Sequence, residues 1–181
     1  MNRDRPVRWH LLAAVVLALA ASRVCAHSAS DAYLTLDVDT APEPGPVART
    51  VVHAQWDIAL RDLDFVLKLD DDGDGNITWA ELHKHQTGIT TYAMEYLNAS
   101  SDRGACTISP KRQMVDNHAD GAYAALFFDI ACVGAVKRIT LDYRLFFAMD
   151  PSHRGILAFH SGPNTATALL SPENARIELR L

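Results

Sequence analysis

The chain lacks three things: a membrane-spanning run of ordinary length, a surplus of positive charge, and the short motifs of common enzymes. Its unbroken apolar stretch, Leu11 to Ala21, is shorter than the ~20 residues that cross a bilayer as a helix. Lys and Arg number 17 against 22 Asp and Glu in 181 residues, for a net charge of −5. Nucleic-acid backbones demand clustered Lys and Arg, so no nucleic-acid partner is expected. There is no GxSxG, no HExxH, no phosphate-cradling glycine loop and no dinucleotide fingerprint. No residue offers itself as catalytic, so the chain is read as a binding protein rather than an enzyme. Cysteine is also scarce, with only Cys25, Cys106 and Cys132.

What is present begins with a leader. Arg3, Arg5 and Arg8 precede the apolar run, and Val24-Cys25-Ala26 is a small-residue cleavage site before His27. The sequence predicts a signal peptide over residues 1–26, an exported domain over 27–181, and a periplasmic or secreted location. An uncleaved anchor is the alternative. Ser22-Arg23-Val24 before Cys25 is a poor lipoprotein signal. Removing four Arg and one Asp with the leader takes the charge from −5 to −8. It also leaves Cys106 and Cys132 as an even pair in an oxidising compartment, so a disulfide is expected, with two buried thiols as the alternative.

The stretch that carries chemistry is Asp70 to Glu81, DDDGDGNITWAE. Calcium is a hard cation that takes six to eight oxygens in a flexible cage. Asp70, Asp72 and Asp74 stand at alternate positions 1, 3 and 5. Gly75 at position 6 allows a sharp turn through a backbone geometry that a side chain opposes. Asn76 offers its backbone carbonyl, Ile77 an apolar pin, and Thr78 a hydroxyl or a water-mediated contact. Glu81 at position 12 closes the shell with both carboxylate oxygens. An acidic turn that binds nothing shares the three Asp residues, but not the Gly, the aliphatic residue and the Glu together.

The flanks are helical in pattern. Leu60, Leu63, Val66 and Leu67 follow Asp57, a candidate N-cap, and Leu82, Ile89, Ala93 and Leu97 continue after the loop. Gly88 lies inside the second pattern, where it permits a kink. Residues 57–97 therefore resemble an EF-hand, and the resemblance implies Ca²⁺ held by Asp70, Asp72, Asp74, Asn76, Thr78 and Glu81.

The rest of the mature chain reads as β. Leu34, Leu36 and Val38 alternate with polar residues. Pro42, Pro44, Pro46 and Gly45 make a loop, and Val52, Ala54 and Trp56 share a face of a strand over 47–56. Residues 98–104 read as a polar loop, 105–109 as a short strand with Cys106, and 110–120 as irregular. Further strands are predicted over 122–132, 138–147, 156–160 and 165–170, then one through Ile177 and Leu179. Ser161-Gly162-Pro163-Asn164 is a hairpin signal. Short turns and period two predict an α+β fold: an antiparallel β-sandwich-like domain with an inserted helix-loop-helix.

Several runs resemble the exported N-terminal region of bacterial HupE/UreJ-type membrane proteins: AHSASDAYLTLDV, AQWDIALRDLD, VDNHADGAYAAL and YRLFFAMDPSHRGIL. That resemblance implies a periplasmic domain beside a membrane partner, or beside a membrane half outside these residues. A metal-transport role belongs to that membrane domain and does not carry over to the residues here.

Other candidates are weaker. His27 as an N-terminal residue can contribute to copper chelation, but needs further ligands. His83 and His85 are two apart on a predicted helix and point to different sides. Asp116, His118 and Asp120 can bind a metal or simply belong to a polar loop.

Overall fold

The structure is a computed structural model that describes residues 30–38 and 48–181. The leader, Cys25, His27 and the proline-rich stretch 42–46 lie outside the described residues.

Strand β1 spans Asp31–Val38 and β2 spans Arg49–Ala59. Two helices follow, α1 (Leu60–Leu67) and α2 (Trp79–Glu95). The chain then returns to strands: β3 (Leu97–Ser101), β4 (Gly104–Ala105), β5 (Thr107–His118), β6 (Gly121–Val133) and β7 (Arg138–Tyr143). Strands β8 (Arg154–Ser161), β9 (Asn164–Leu170) and β10 (Arg176–Arg180) complete it. A six-stranded sheet runs β5-β6-β2-β1-β8-β9, and a four-stranded sheet runs β10-β7-β3-β4. The fold is thus α+β and mostly β, sandwich-like, with the two helices inserted between β2 and β3.

Period-two alternation explains the core. Leu34 and Leu36 of β1, Val52, Ala54, Trp56 and Ile58 of β2, and Leu126, Phe128 and Ile130 of β6 are buried on one face of the large sheet. Ile139, Leu141 and Tyr143 of β7 and Leu179 of β10 join the same cluster. Leu63, Leu82, Ile89 and Ala93 place the helices in it too. Burying each large side chain stabilises by about 1.5–3 kcal/mol. Gly88 does not interrupt α2, which runs as one helix of 17 residues.

Four expectations are corrected. The large sheet is mixed rather than antiparallel, because β1 pairs parallel with β8, Leu34 opposite Leu157. Residues 110–118 are not irregular but form most of β5. Their polarity reflects an edge strand paired only with β6, with a register shift between Pro110 and Arg112. Residues 98–101 belong to β3, whose backbone pairs with β7 and β4 despite its polar side chains. The strand predicted over 138–147 ends at Tyr143. Leu145 is still buried, but in a turn where Phe146 takes φ 59°, a conformation a bulky side chain adopts only under packing constraint.

The expected disulfide is present: Cys106, between β4 and β5, is bonded to Cys132 of β6, 26 residues away. A bridge of that span stabilises by about 3 kcal/mol in the chain-entropy treatment. It fits an oxidising, exported environment. Among the described residues no helix is long and apolar enough to cross a membrane.

A polar chain is threaded through the core beside β7. The Tyr143 hydroxyl lies 2.7 Å from His153 Nε2, and His153 Nδ1 lies 2.7 Å from Ser30 Oγ. Ser30 in turn donates to Asp62 Oδ2 at 2.9 Å. With that serine proton committed to Asp62, the network assigns the imidazole proton to Nδ1, leaving Nε2 to accept from Tyr143. Burial lowers His153 from 6.5 to about 4, and holds Asp62 above the ordinary carboxylate range.

Two outcomes are expected. The unfolded imidazole takes a proton near 6.5 and the folded one only near 4. His153 therefore contributes its full share of stability above pH 6.5 and loses it as pH falls towards 4, up to about 3 kcal/mol. Urea midpoints measured across that window will fall more steeply for the native chain than for His153→Gln. Separately, a Cβ on Gly155 would stand 2.9 Å from Cζ of the buried Tyr143 ring. Gly155→Ala will lower stability by about 1–3 kcal/mol in a thermal melt, since that ring has nowhere to go.

Candidate metal centre

The loop between α1 and α2 is positioned from both ends. Helix α1 ends at Lys68, in the left-handed conformation at φ 55°, with its NH bonded to the Asp64 carbonyl. The Asp64 carboxylate then accepts from the NH of Asp70 at 3.0 Å. On the far side, Thr78 is the N-cap of α2. Its hydroxyl accepts from the NH of Glu81, and the Glu81 carboxylate accepts from the NH of Thr78, a reciprocal capping box. Leu69 and Leu82 are buried on either side of the loop, and Ile77 packs partly against the core.

Asp57 does not cap α1 as expected. Strand β2 continues to Ala59, which is the N-cap and makes no side-chain cap bond. Pairing of Asp57 with Tyr33 and Ala125 holds it in the sheet.

Asp70, Asp72 and Asp74 converge, with one carboxylate oxygen of each within 4.8 Å of the others. Asp70 accepts from the NH groups of Gly73 and Gly75, both at 2.8 Å. Asp72 accepts from the NH of Asp74, and Asp74 from the NH and side-chain amide of Asn76. Gly73 at φ 73° and Gly75 at φ 86° supply the left-handed turns. The charges strain one another. The NH of Asp74 favours ionised Asp72, yet repulsion from Asp74 and Glu81 leaves Asp72 above the ordinary carboxylate range. Glu81 stands beside the three, outside their tight group. Its Oε1 accepts from the NH of Asp71 at 2.8 Å and its Oε2 from the hydroxyl and NH of Thr78. Those bonds, the Thr78 hydroxyl first, hold Glu81 below its ordinary range.

Asp71, at position 2, turns away from this group to Lys84 Nζ at 2.7 Å and His85 Nε2 at 3.1 Å. His85 is therefore an anchor between loop and helix. That role leaves no mark in a local pattern, because the contact joins residues 14 apart. His83 faces another side, beside Trp79 and Met114. Asp116 and His118 lie on β5, while the Asp120 carboxylate is bonded to Arg61 and Tyr123.

The donor set fits calcium: oxygen ligands only, three of them charged and already convergent, with backbone NH groups rather than Lys or Arg side chains as their hydrogen-bond partners. In comparisons with known proteins, no family model matches the chain and no curated protein matches it.

Proposed function

We propose that the protein binds calcium through one EF-hand loop, Asp70 to Glu81, in an exported domain, where the ion serves a structural or interaction role. The observation that supports this most is the convergence of the Asp70, Asp72 and Asp74 carboxylates between two helices. Asp70, Asp72, Asp74, the Asn76 carbonyl and Glu81 would hold the ion, with Thr78 direct or through a water. The ion would supply positive charge to a group that now repels itself. Glu81 has two tasks, closing the site and capping α2, so order in the loop and the start of that helix are one event.

Two exposed aromatics favour a second reading. Phe65 on α1 and Trp79 on α2, each 71% exposed, flank the loop. They suit an extracytoplasmic interaction domain of a HupE/UreJ-type metal-transport membrane protein, with calcium incidental.

Calcium calorimetry on the purified protein should give one site, in the weak range of about 10⁻⁴–10⁻³ M for exported modules. At one hundred times Kd the ion should stabilise the fold by about 2.7 kcal/mol, read as a higher melting temperature. Magnesium should do this poorly, because it keeps its waters and demands a tight octahedron. Glu81→Gln removes the charge and one strong oxygen while keeping size, and should weaken binding most per atom changed. Thr78→Ala should weaken calcium less, while costing about 1 kcal/mol of stability through the lost cap. Unchanged affinity in Glu81→Gln would return the loop to an acidic turn that binds nothing.

A further inference from the structure

The solvent-side face of the large sheet carries a second group of metal-ligating side chains, built from different strands. The alternation that sends Trp56 and Ile58 inward sends Asp57 outward. Asp116 and His118 stand two apart at the end of β5, so they share a face. Strand β6 lies between β5 and β2. It presents only Gly121 opposite His118 and only Ala125 opposite Asp57. With β6 placing no large side chain at those two positions, and Tyr123 between them opposite Asp116, the imidazole reaches across: His118 Nε2 lies 3.2 Å from Asp57 Oδ2. One ligand atom from each of Asp57, Asp116 and His118 lies within 4.8 Å of the others.

The surroundings hold these atoms in place. The His118 ring stacks on Tyr33 with centroids 4.8 Å apart and lies 4.2 Å from the ring of Tyr123. The Asp57 side chain is 10% exposed, and its other oxygen accepts from Gln55 Nε2 at 2.9 Å. Asp116 is exposed, so the group has a buried floor and an open mouth. Outer hydrogen bonds of this kind orient metal ligands. The cleft is lined by Asp31, Asp57, Asp116 and Asp120, with no Lys or Arg among its lining residues. Arg61 reaches Asp120 from one side and also lies near Asp62. Among the described residues, Asp57 has the His118 imidazole as its ion-pair partner, and Asp116 accepts from the NH of Asn117 at 2.8 Å.

We propose that Asp57, Asp116 and His118 form a second metal site, selective for a divalent first-row transition ion of the zinc class and distinct from the calcium loop. Calcium takes oxygen donors alone, whereas an imidazole nitrogen suits zinc and its neighbours. Three protein ligands leave coordination positions for water or for a group carried by another molecule. A simple His118–Asp57 ion pair explains two of the three residues, while Asp116, bonded only locally to the NH of Asn117, turns a ligand atom to within 4.8 Å of both.

Zinc chloride is the probe, titrated by calorimetry into the tag-free protein saturated with calcium. One zinc per chain is expected. His118→Ala and Asp116→Asn should each weaken zinc at least about tenfold, the loss that even an outer partner of a metal ligand can cause. Neither change should alter calcium affinity. Asp116→Asn is decisive, because this exposed residue can be changed without touching the core, and an unaltered melting temperature will verify the fold. The double variant Asp70→Ala, Glu81→Gln should lose calcium yet keep its zinc. Failure of the calcium reading would thus leave the zinc site standing, and the reverse holds too. The proposal is overturned if zinc fails to bind, if Asp116→Asn binds it at full strength, or if zinc is lost with the loop variant.

Discussion

The alternation along β2 decides both faces of the molecule at once. This strand pairs with β1 on one side and β6 on the other, so its register cannot slip without moving every side chain to the wrong face. Val52, Ala54, Trp56 and Ile58 go into the core, and Trp56 is fully buried against Phe128 and Tyr143. His53, Gln55 and Asp57 therefore go out. The strand then ends directly in α1, which leads to the acidic loop. Core packing, the outer cleft and the position of the helix pair all follow from one set of pairings.

The loop itself has little packing to hold it. Most of its residues are exposed, and its shape rests on carboxylates accepting from nearby NH groups. Two carboxylates about 4 Å apart in water repel by about 1 kcal/mol, and a third adds to that. Asp71 escapes the conflict by turning to Lys84 and His85, which pins the loop to α2 and keeps that ammonium away from the other three.

How legible each part was depends on how local its determinants are. The strands with apolar alternation, β1, β2, β6 and β7, were readable because each carries its own burial pattern. Strand β5 was not, since an exposed edge strand needs no apolar face and its residues Lys111 to Asp116 are mostly polar. The parallel pairing of β1 with β8 was not readable either. It joins residues more than a hundred positions apart and leaves no mark in either segment. The same contrast divides the candidate sites. The acidic loop is contiguous, so its spacing alone brought its residues to notice. Asp116 and His118 are visible as neighbours, with Asp120 the nearest further carboxylate in sequence. Asp57, just ahead of an apolar helical pattern, reads as a helix cap, whereas it lies within β2. Only the continuation of the Val52–Trp56 alternation to Ile58 would have shown that Asp57 faces outward.

Helix α1 shows how the loop and the sheet depend on each other. Eight residues are too few for a helix to persist alone in water. Its N-terminus has no side-chain cap bond, and only Asp62 in the first turn offers it a favourable charge. What holds it is Leu60 and Leu63 buried against the sheet at one end, and at the other the Asp64 carboxylate bonded to the NH of Asp70. That last bond joins the helix to the first residue of the acidic loop. Any cation that orders Asp70 therefore also fixes the end of α1, a helix that packs on β2 and β6. The repulsion stored among Asp70, Asp72 and Asp74 acts in the opposite direction, loosening the same end. An eight-residue helix is short enough for that local balance of charge to reach the sheet, which a longer, self-supporting helix would have damped.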